Sequence, residues 1–328
     1  MNEVTVVGAG AWGTALAIQA ARAGAAVRLW ARDAARAAEI DAQRESPRLP
    51  GVPLAEQVTV VHDVAQIRGV VLLAVPMQHL RGMVSRLPPG TAPLVVCAKG
   101  IETGTQRLPL EVVDAVHPGS PAAVLTGPNF AHEIAAGLPA AAVVAAADAA
   151  LRDRVIAALS TPAFRLYGND DPIGAQVGGA AKNVIAIAAG AVIGAGLGEN
   201  ARAALITRGL SELARLAVAL GGRAETVMGL SGLGDLLLTC TGPASRNYSL
   251  GLALGRGEAL ADVLAARRAV TEGVATAPAL LARTTAVPGS SGAGVDIPIC
   301  TAVAALLAGR VTLREAMANL LSRPLRAE

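Results

Sequence analysis

The chain carries two lysines, Lys99 and Lys182, and every other basic side chain is arginine. An ammonium can shift its pKa and exchange a proton where a guanidinium cannot, so the two positions that keep lysine are candidates for proton transfer. Around Lys182, the residues Gln176, Gly179, Lys182, Asn183 and Ala186 recur at three- and four-residue spacings, which brings Lys182 and Asn183 near one another on a helix beside small side chains. A lysine among so many apolar neighbours either snorkels to solvent or pairs with polar groups in a cleft. Farther on, Ser245 can cap a helix whose first residues are Arg246 and Asn247. A capping hydroxyl, free backbone N–H groups and a guanidinium would converge there as on a phosphate; an ordinary cap with a solvent-facing arginine has the same residues. Before it, the glycine-rich stretch 229–235 follows no strand and reads as a tight turn that presents Asp235.

These groups need elements to hold them. Val4 to Val7 is a short β-branched run, followed by Gly8-Ala9-Gly10-Ala11-Trp12-Gly13, an Ala-rich helix from Thr14 to Ala23, the stop at Gly24 and a second strand from Ala26 to Trp30. Strand, glycine loop, helix and strand within about thirty residues make a dinucleotide fingerprint. Gly8 permits the turn, Gly10 lets backbone approach a pyrophosphate, Gly13 lets helix and strand pack, and the helix N-terminus faces the anion. After the second strand comes Arg32-Asp33. Arg32 could pair with a 2′-phosphate, which predicts NADPH over NADH; Asp33 could simply cap the next helix.

Apolar runs from Val70 to Val75 and Leu94 to Cys97 read as buried parallel strands. Ligands of open α/β sheets sit beyond the carboxyl ends of strands, which places Pro76 and Lys99 on the binding edge. Ala122 to Thr126 reads as a further strand, followed by Gly127-Pro128-Asn129-Phe130. The segment from Arg44 to Gln57, rich in proline and glycine, reads as a surface connection that could cover the site. From Asp171 onward strand signals give way to long Ala/Leu helices: Pro172 to about Gly194, with Asp171 as its N-cap, and Ala201 to Leu220, capped by Asn200 and stopped at Gly221-Gly222. The expected architecture is α/β: an N-terminal Rossmann-like doubly wound parallel sheet domain over residues 1–170, followed by an all-helical C-terminal domain over 171–328.

Composition narrows the functional classes. Apolar residues make up 53% of the 328 and aromatics 2%, so Ala, Val, Leu and Ile must fill the core. The longest apolar run, Val184 to Gly198, falls short of the roughly 20 residues of a spanning helix and contains glycines, which points to a buried helix. With no secretory signal pattern, a cytoplasmic location is expected. Twenty-eight basic against 25 acidic residues, without aromatic-studded basic runs, favour a small anion over nucleic acid as partner. Cys97, Cys240 and Cys300 are widely spaced and odd in number, and His62, His79, His117 and His132 show no paired spacing, so neither disulfides nor a metal site are expected.

Taken together, Gly8-Ala9-Gly10-Ala11-Trp12-Gly13-Thr14-Ala15-Leu16-Ala17, Ala98-Lys99-Gly100, Gly127-Pro128-Asn129-Phe130-Ala131, Ala181-Lys182-Asn183-Val184, Gly232-Leu233-Gly234-Asp235-Leu236, Ser245-Arg246-Asn247 and Glu272-Gly273 resemble the NAD(P)-dependent glycerol-3-phosphate dehydrogenase family nearly end to end. The resemblance implies an oxidoreductase that interconverts sn-glycerol 3-phosphate and dihydroxyacetone phosphate with NADP or NAD, supplies glycerol 3-phosphate for phospholipids and forms a homodimer. It implies Lys182 as the proton-transferring residue. Lys99, Gly127, Asn129, Asp235, Thr239, Ser245, Arg246 and Asn247 would join it around the substrate. Gly8, Gly10, Ala11, Trp12, Gly13, Arg32, Lys99, Ala131, Arg246, Val270 and Glu272 would lie at the cofactor. Asn129 stands where the family usually has Ser or Thr, and His132 where Lys or Arg is usual; both bear on affinity rather than on the reaction. Two rivals stay open at this point: a dehydrogenase of β-hydroxy acids, whose substrates carry carboxylates, and a non-catalytic NAD(P)H sensor.

Overall fold

The structure, a computed structural model, describes residues 2–88, 93–267, 270–286 and 294–324. In chain order the elements are β1 (Glu3–Val7), α1 (Ala11–Arg22), β2 (Ala26–Trp30), α2 (Ala34–Gln43), β3 (Glu45–Ser46), β4 (Leu49–Pro53), β5 (Val58–Val61), β6 (Val70–Leu73), α3 (Met77–Val84), β7 (Leu94–Val96), α4 (Pro109–Val116), β8 (Ala122–Thr126), α5 (Ala131–Ala136), β9 (Ala140–Ala145), α6 (Ala149–Leu159) and β10 (Phe164–Asn169). Then follow α7 (Pro172–Gly194), α8 (Gly198–Ala219), α9 (Ala224–Val227), a π-helical turn (Leu230–Gly234), α10 (Asp235–Cys240), α11 (Arg246–Gly255), α12 (Leu260–Ala265), α13 (Glu272–Thr285), α14 (Pro298–Leu307) and α15 (Leu313–Leu321). Two compact units result: residues 1–99 with 108–176, and residues 100–107 with 177–328.

The first unit is built on an eight-stranded sheet in the order β10-β9-β8-β7-β6-β1-β2-β5. All neighbours are parallel except β8 and β9. The exception has a local cause. Helix α5 has six residues, about 9 Å of rise, too short to carry the chain back along a strand and over for a parallel pairing, so β9 returns antiparallel. Strand β1 lies between β6 and β2, and the strand order therefore reverses at its carboxyl end, where the glycine loop follows. Val4, Val6, Leu16, Leu29, Leu72, Val95 and Leu125 are among the buried side chains that join helix to sheet.

Strands β2 and β8 and helix α7 have the bounds expected from their sequence, while β6 and β7 end one or two residues earlier. Strands β5, β9 and β10 were not expected. The segment from Arg44 to Gln57 holds a small hairpin, β3–β4, in which the buried Ser46 donates its hydroxyl to the Ala9 carbonyl at 3.4 Å, so the hairpin packs on the glycine loop.

The elements of the second unit from α7 onward are all helical, while its residues 100–107 form a turn. Asp171 caps α7 by accepting the Gly174 N–H at 2.8 Å. Helix α8 starts earlier than its sequence suggests, with Leu197 rather than Asn200 at the N-cap. By length and composition α7 could cross a membrane, yet 83% of its most apolar 18-residue window is buried inside the protein. It serves as a core helix. Its contact with α11 is made by glycines on both sides: a Cβ built on Gly190 would fall 2.0 Å from the Tyr248 carbonyl oxygen, and one on Gly251 would fall 1.9 Å from that of Ile187. Gly194 and Gly255 repeat the contact one turn on, so the two backbones touch without intervening side chains. All three cysteines are buried and unpaired by disulfides, and burial pushes the Cys97 and Cys240 thiols up to about 12. Among the described residues no group of three His, Cys, Asp or Glu side chains could hold a metal ion.

Candidate active site

In the first unit the glycine loop has the shape its three glycines require. Gly8 has φ +114°, and a Cβ there would lie 2.8 Å from the Ala74 carbonyl oxygen. A Cβ on Gly13 would lie 1.8 Å from the Gly8 oxygen, so helix and strand close only over a glycine. Gly10 differs from both: a Cβ there would meet nothing within 4 Å. It is the N-cap of α1, and no side chain caps the helix. The first-turn N–H groups of Ala11, Trp12 and Gly13 therefore have no intrahelical acceptor, and the open space beside Gly10 lies at the positive end of the helix, which fits the pyrophosphate of a dinucleotide.

Arg32 follows β2, exposed and with no side-chain partner among the described residues. Asp33 beside it is spent on capping α2, accepting the Arg36 N–H at 2.8 Å. One oxygen of the carboxylate that would receive ribose hydroxyls is thus engaged at the helix cap, and a guanidinium stands next to it.

At the carboxyl ends of β7 and β8, Lys99 donates to the Gly127 carbonyl at 3.0 Å. Gly127 has φ +137°, and a Cβ on it would crowd the Ala142 backbone at 3.0 Å. Asn129 turns its amide N–H toward the Ala141 carbonyl at 3.3 Å and leaves its buried Oδ1 without a protein partner. Ala131 opens α5 just beyond, and His132 stacks on Phe130 with ring centroids 5.7 Å apart.

In the second unit Lys182 is 7% exposed and Asp235 is 1% exposed. The lysine ammonium donates to Asp235 Oδ1 at 2.5 Å and to Thr239 Oγ1 at 2.8 Å. Thr239 in turn donates its own proton to the Asp235 backbone carbonyl at 2.6 Å, which leaves its lone pairs turned to Lys182. The glycine-rich stretch positions the aspartate by an unexpected route: a wide π-helical turn in place of a tight one. A Cβ on Gly232 would fall 2.0 Å from the Val227 oxygen, and Gly178 of α7 approaches the Ser231 carbonyl so closely that a Cβ there would lie at 2.4 Å. A buried ammonium and carboxylate hold each other charged only where such hydrogen bonds complete the pairing.

Ser245 caps α11, accepting the Tyr248 N–H at 3.2 Å. Asn247 donates to the Asn183 side-chain oxygen at 2.9 Å and accepts the Gly273 N–H at 3.0 Å. Arg246 reaches the Val270 carbonyl at 2.6 Å, and Glu272 starts α13. The structure thus brings together Lys182, Asp235 and Thr239 in one cluster, and Ser245, Arg246, Asn247 and Val270 in another. Asn183, adjacent to the lysine, links the two. From the sequence, Asn183 is a neighbour of the lysine without a role of its own and Gly273 only part of a matching motif, while nothing marks Arg267; the contacts of Gly273 and Arg267 arise between residues distant in the chain.

A glycine loop at the reversal point of a mainly parallel sheet, followed by a helical unit with a buried lysine, defines a Rossmann-type oxidoreductase of two units. Comparison with known proteins carries this to a family. Residues 3–152 match the model of the NAD-dependent glycerol-3-phosphate dehydrogenase N-terminus, and residues 171–318 match that of its C-terminus. Glycerol-3-phosphate dehydrogenase [NAD(P)+] of Acidiphilium cryptum is 57% identical over 99% of this chain and 98% of its own. The corresponding protein 1 of Sphingopyxis alaskensis is 51% identical over 98% and 97%. The crystal structure of glycerol-3-phosphate dehydrogenase from Coxiella burnetii superposes with a TM-score of 0.90 at 37% identity, covering 98% of this chain and 99% of that one. The chain belongs to the NAD-dependent glycerol-3-phosphate dehydrogenase family.

Proposed function

We propose that the chain catalyses interconversion of sn-glycerol 3-phosphate and dihydroxyacetone phosphate with NAD(P)(H), and so supplies glycerol 3-phosphate for phospholipid synthesis. The observation that carries the reading is the buried Lys182–Asp235–Thr239 cluster, joined through Asn183 and Asn247 to a capped helix N-terminus that suits a phosphate.

The Gly8–Gly13 loop would hold the dinucleotide, which when bound would provide the hydride for C2 of the ketone. Lys182 gives a proton to the C2 oxygen as negative charge develops on it, and accepts one from the C2 hydroxyl in the reverse direction. Asp235 and Thr239 fix the ammonium so that its proton is aimed before the substrate arrives. Arg246 and the capped first turn of α11 bind the phosphate. Asn247 adds the amide N–H that Asn183 does not take, and Lys99, Gly127 and Asn129 complete the substrate contacts. Ala11, Trp12, Ala131, Val270 and Glu272 belong with the cofactor, together with Lys99 and Arg246. Arg32 favours the 2′-phosphate of NADPH. In this division residues 1–170 carry the dinucleotide loop and 171–328 the acid and the phosphate site, and each also lends residues to the other's ligand. The working form is a cytoplasmic homodimer; a mass of one protomer in sedimentation equilibrium would refute the dimer.

The test is oxidation of NADPH, followed by its absorbance, on adding dihydroxyacetone phosphate. Lys182→Ala should lower kcat by about 10²–10⁴, as loss of a general acid does, while the dissociation constant for NADPH stays close to that of the parent. A variant that keeps near-parental turnover excludes Lys182 as the acid. A parent that binds NADPH but turns over β-hydroxy acids instead excludes the substrate.

A further inference from the structure

Beside the phosphate-binding turn lies an arginine that no motif marks. Arg267, in the segment that follows α12, donates through Nη1 to the Arg246 carbonyl at 2.7 Å and through Nη2 to Ser249 Oγ at 3.2 Å. Ser249 closes the triangle by donating to the same carbonyl at 3.2 Å. In the opposite sense the Arg246 guanidinium donates to the Val270 carbonyl. The two arginines are thus strapped reciprocally across the first turn of α11, Arg267 to the Arg246 carbonyl and Arg246 to the carbonyl of Val270, three residues beyond Arg267.

The arrangement costs energy in the protein alone. Burial, and then the charge of Arg246, pull the Arg267 guanidinium below its usual range, with Glu258 partly offsetting them. The helix N-terminus beneath adds its own positive end. Two cations held side by side at the positive end of a helix repel one another, and an anion placed among them is attracted by both and by the helix end, which offsets that repulsion. The Arg267 contact also determines where the Arg246 carbonyl, and hence the base of the Arg246 side chain, sits.

We propose that Arg267 is a positioning residue of the substrate-phosphate site: it fixes the first turn of α11 through the Arg246 carbonyl and supplies a second positive charge beside the bound phosphate. This rests on the reading that Ser245, Arg246 and Asn247 hold that phosphate.

The test is the steady-state kinetics of dihydroxyacetone phosphate reduction by Arg267→Ala, Arg267→Lys and Arg246→Ala, with inorganic phosphate as a competing inhibitor. For Arg267→Ala, KM for dihydroxyacetone phosphate should rise on the order of tenfold, the loss of a charge-assisted contact, with kcat within about twofold of the parent. The inhibition constant for phosphate should weaken in parallel. Arg267→Lys, which keeps the charge and one donor, should fall between parent and alanine variant. An unchanged KM, a fall in kcat alone, an effect confined to NADPH affinity, or a lysine variant no better than alanine would each overturn the proposal. If Arg246→Ala raises KM and Arg267→Ala does not, the inference on Arg267 alone fails. If neither does, the phosphate reading itself is wrong.

Discussion

Replacing Gly251 by alanine should damage catalysis without touching any residue of the site. The added Cβ would stand 1.9 Å from the Ile187 carbonyl oxygen and 2.9 Å from the Ala191 nitrogen, both backbone atoms of α7. Real Cβ atoms do not approach closer than 3.0 Å, so α7 and α11 must part by about 1 Å at the crossing. Lys182 and Asn183 ride on α7, and Arg246 and Asn247 open α11, so the lysine and the proposed phosphate site separate with their helices. The Asn183–Asn247 hydrogen bond, 2.9 Å long, would stretch to roughly 4 Å and be lost. A misplacement of about 1 Å lowers a rate by about 10², so kcat/KM for dihydroxyacetone phosphate should fall about a hundredfold, or some 2.7 kcal/mol. Overpacking should cost a further 1–3 kcal/mol of stability, read from the thermal midpoint by circular dichroism. Gly82→Ala in α3 is the control, because its Cβ would meet nothing within 4 Å; it should leave kcat/KM unchanged and stabilise by about 0.5–1 kcal/mol. A folded Gly251→Ala enzyme with kcat/KM within threefold of the parent would show that the crossing does not set the geometry of the site.

Two other outcomes follow from the same structure. Glu212 of α8 is 1% exposed and caps α14, accepting the N–H groups of Ile299 at 2.6 Å and Cys300 at 3.1 Å. Burial pushes its carboxyl up to about 7 against the opposing pull of those N–H groups and Arg215. The folded value lies above the unfolded one, so its contribution to stability is complete below about pH 4.5 and is lost as the pH rises through about 7, amounting to about 3 kcal/mol. Thermal midpoints of Glu212→Gln across this range should lack that decline, and a decline equal to the parent's would assign it to other groups. For the cofactor, Arg32→Ala should weaken NADPH about tenfold in a fluorescence titration and leave NADH unchanged; equal weakening of both would remove Arg32 from the 2′-phosphate.

How far the sequence revealed all this depended on local physics. Strands β1, β2, β6, β7 and β8 are β-branched or apolar runs bounded by glycine or proline, and α7 is bracketed by Asp171-Pro172 and glycines; each carries its own punctuation. Strand β9, Ala140–Ala145, has alanine at four of its six positions and no such signal, and β10, Phe164–Asn169, lies at the sheet edge with alternating burial. Both are held by pairing with neighbours, which no local pattern announces. The hairpin was hidden by Pro47, Pro50 and Pro53, which read as loop. In the site, residues with unusual chemistry were legible: the lone lysines, the capping serine, the glycine loop. The Glu212 tie to α14 spans 87 and 88 residues of chain, and the Arg267 strap depends on how a loop returns, so neither leaves a trace in spacing.

The scarcity of lysine has a practical corollary. Apart from a terminal amine, the primary amines of this chain are those of Lys99 and Lys182, the first partly exposed and the second 7% exposed. Reagents that acylate or reductively alkylate amines, unselective in most enzymes, become directed here to the two lysines of the proposed site, with Lys99 the more accessible target. A protease that cuts after lysine divides the denatured chain into three fragments, 1–99, 100–182 and 183–328, so peptide mapping reads the state of both side chains from whether each cut is made.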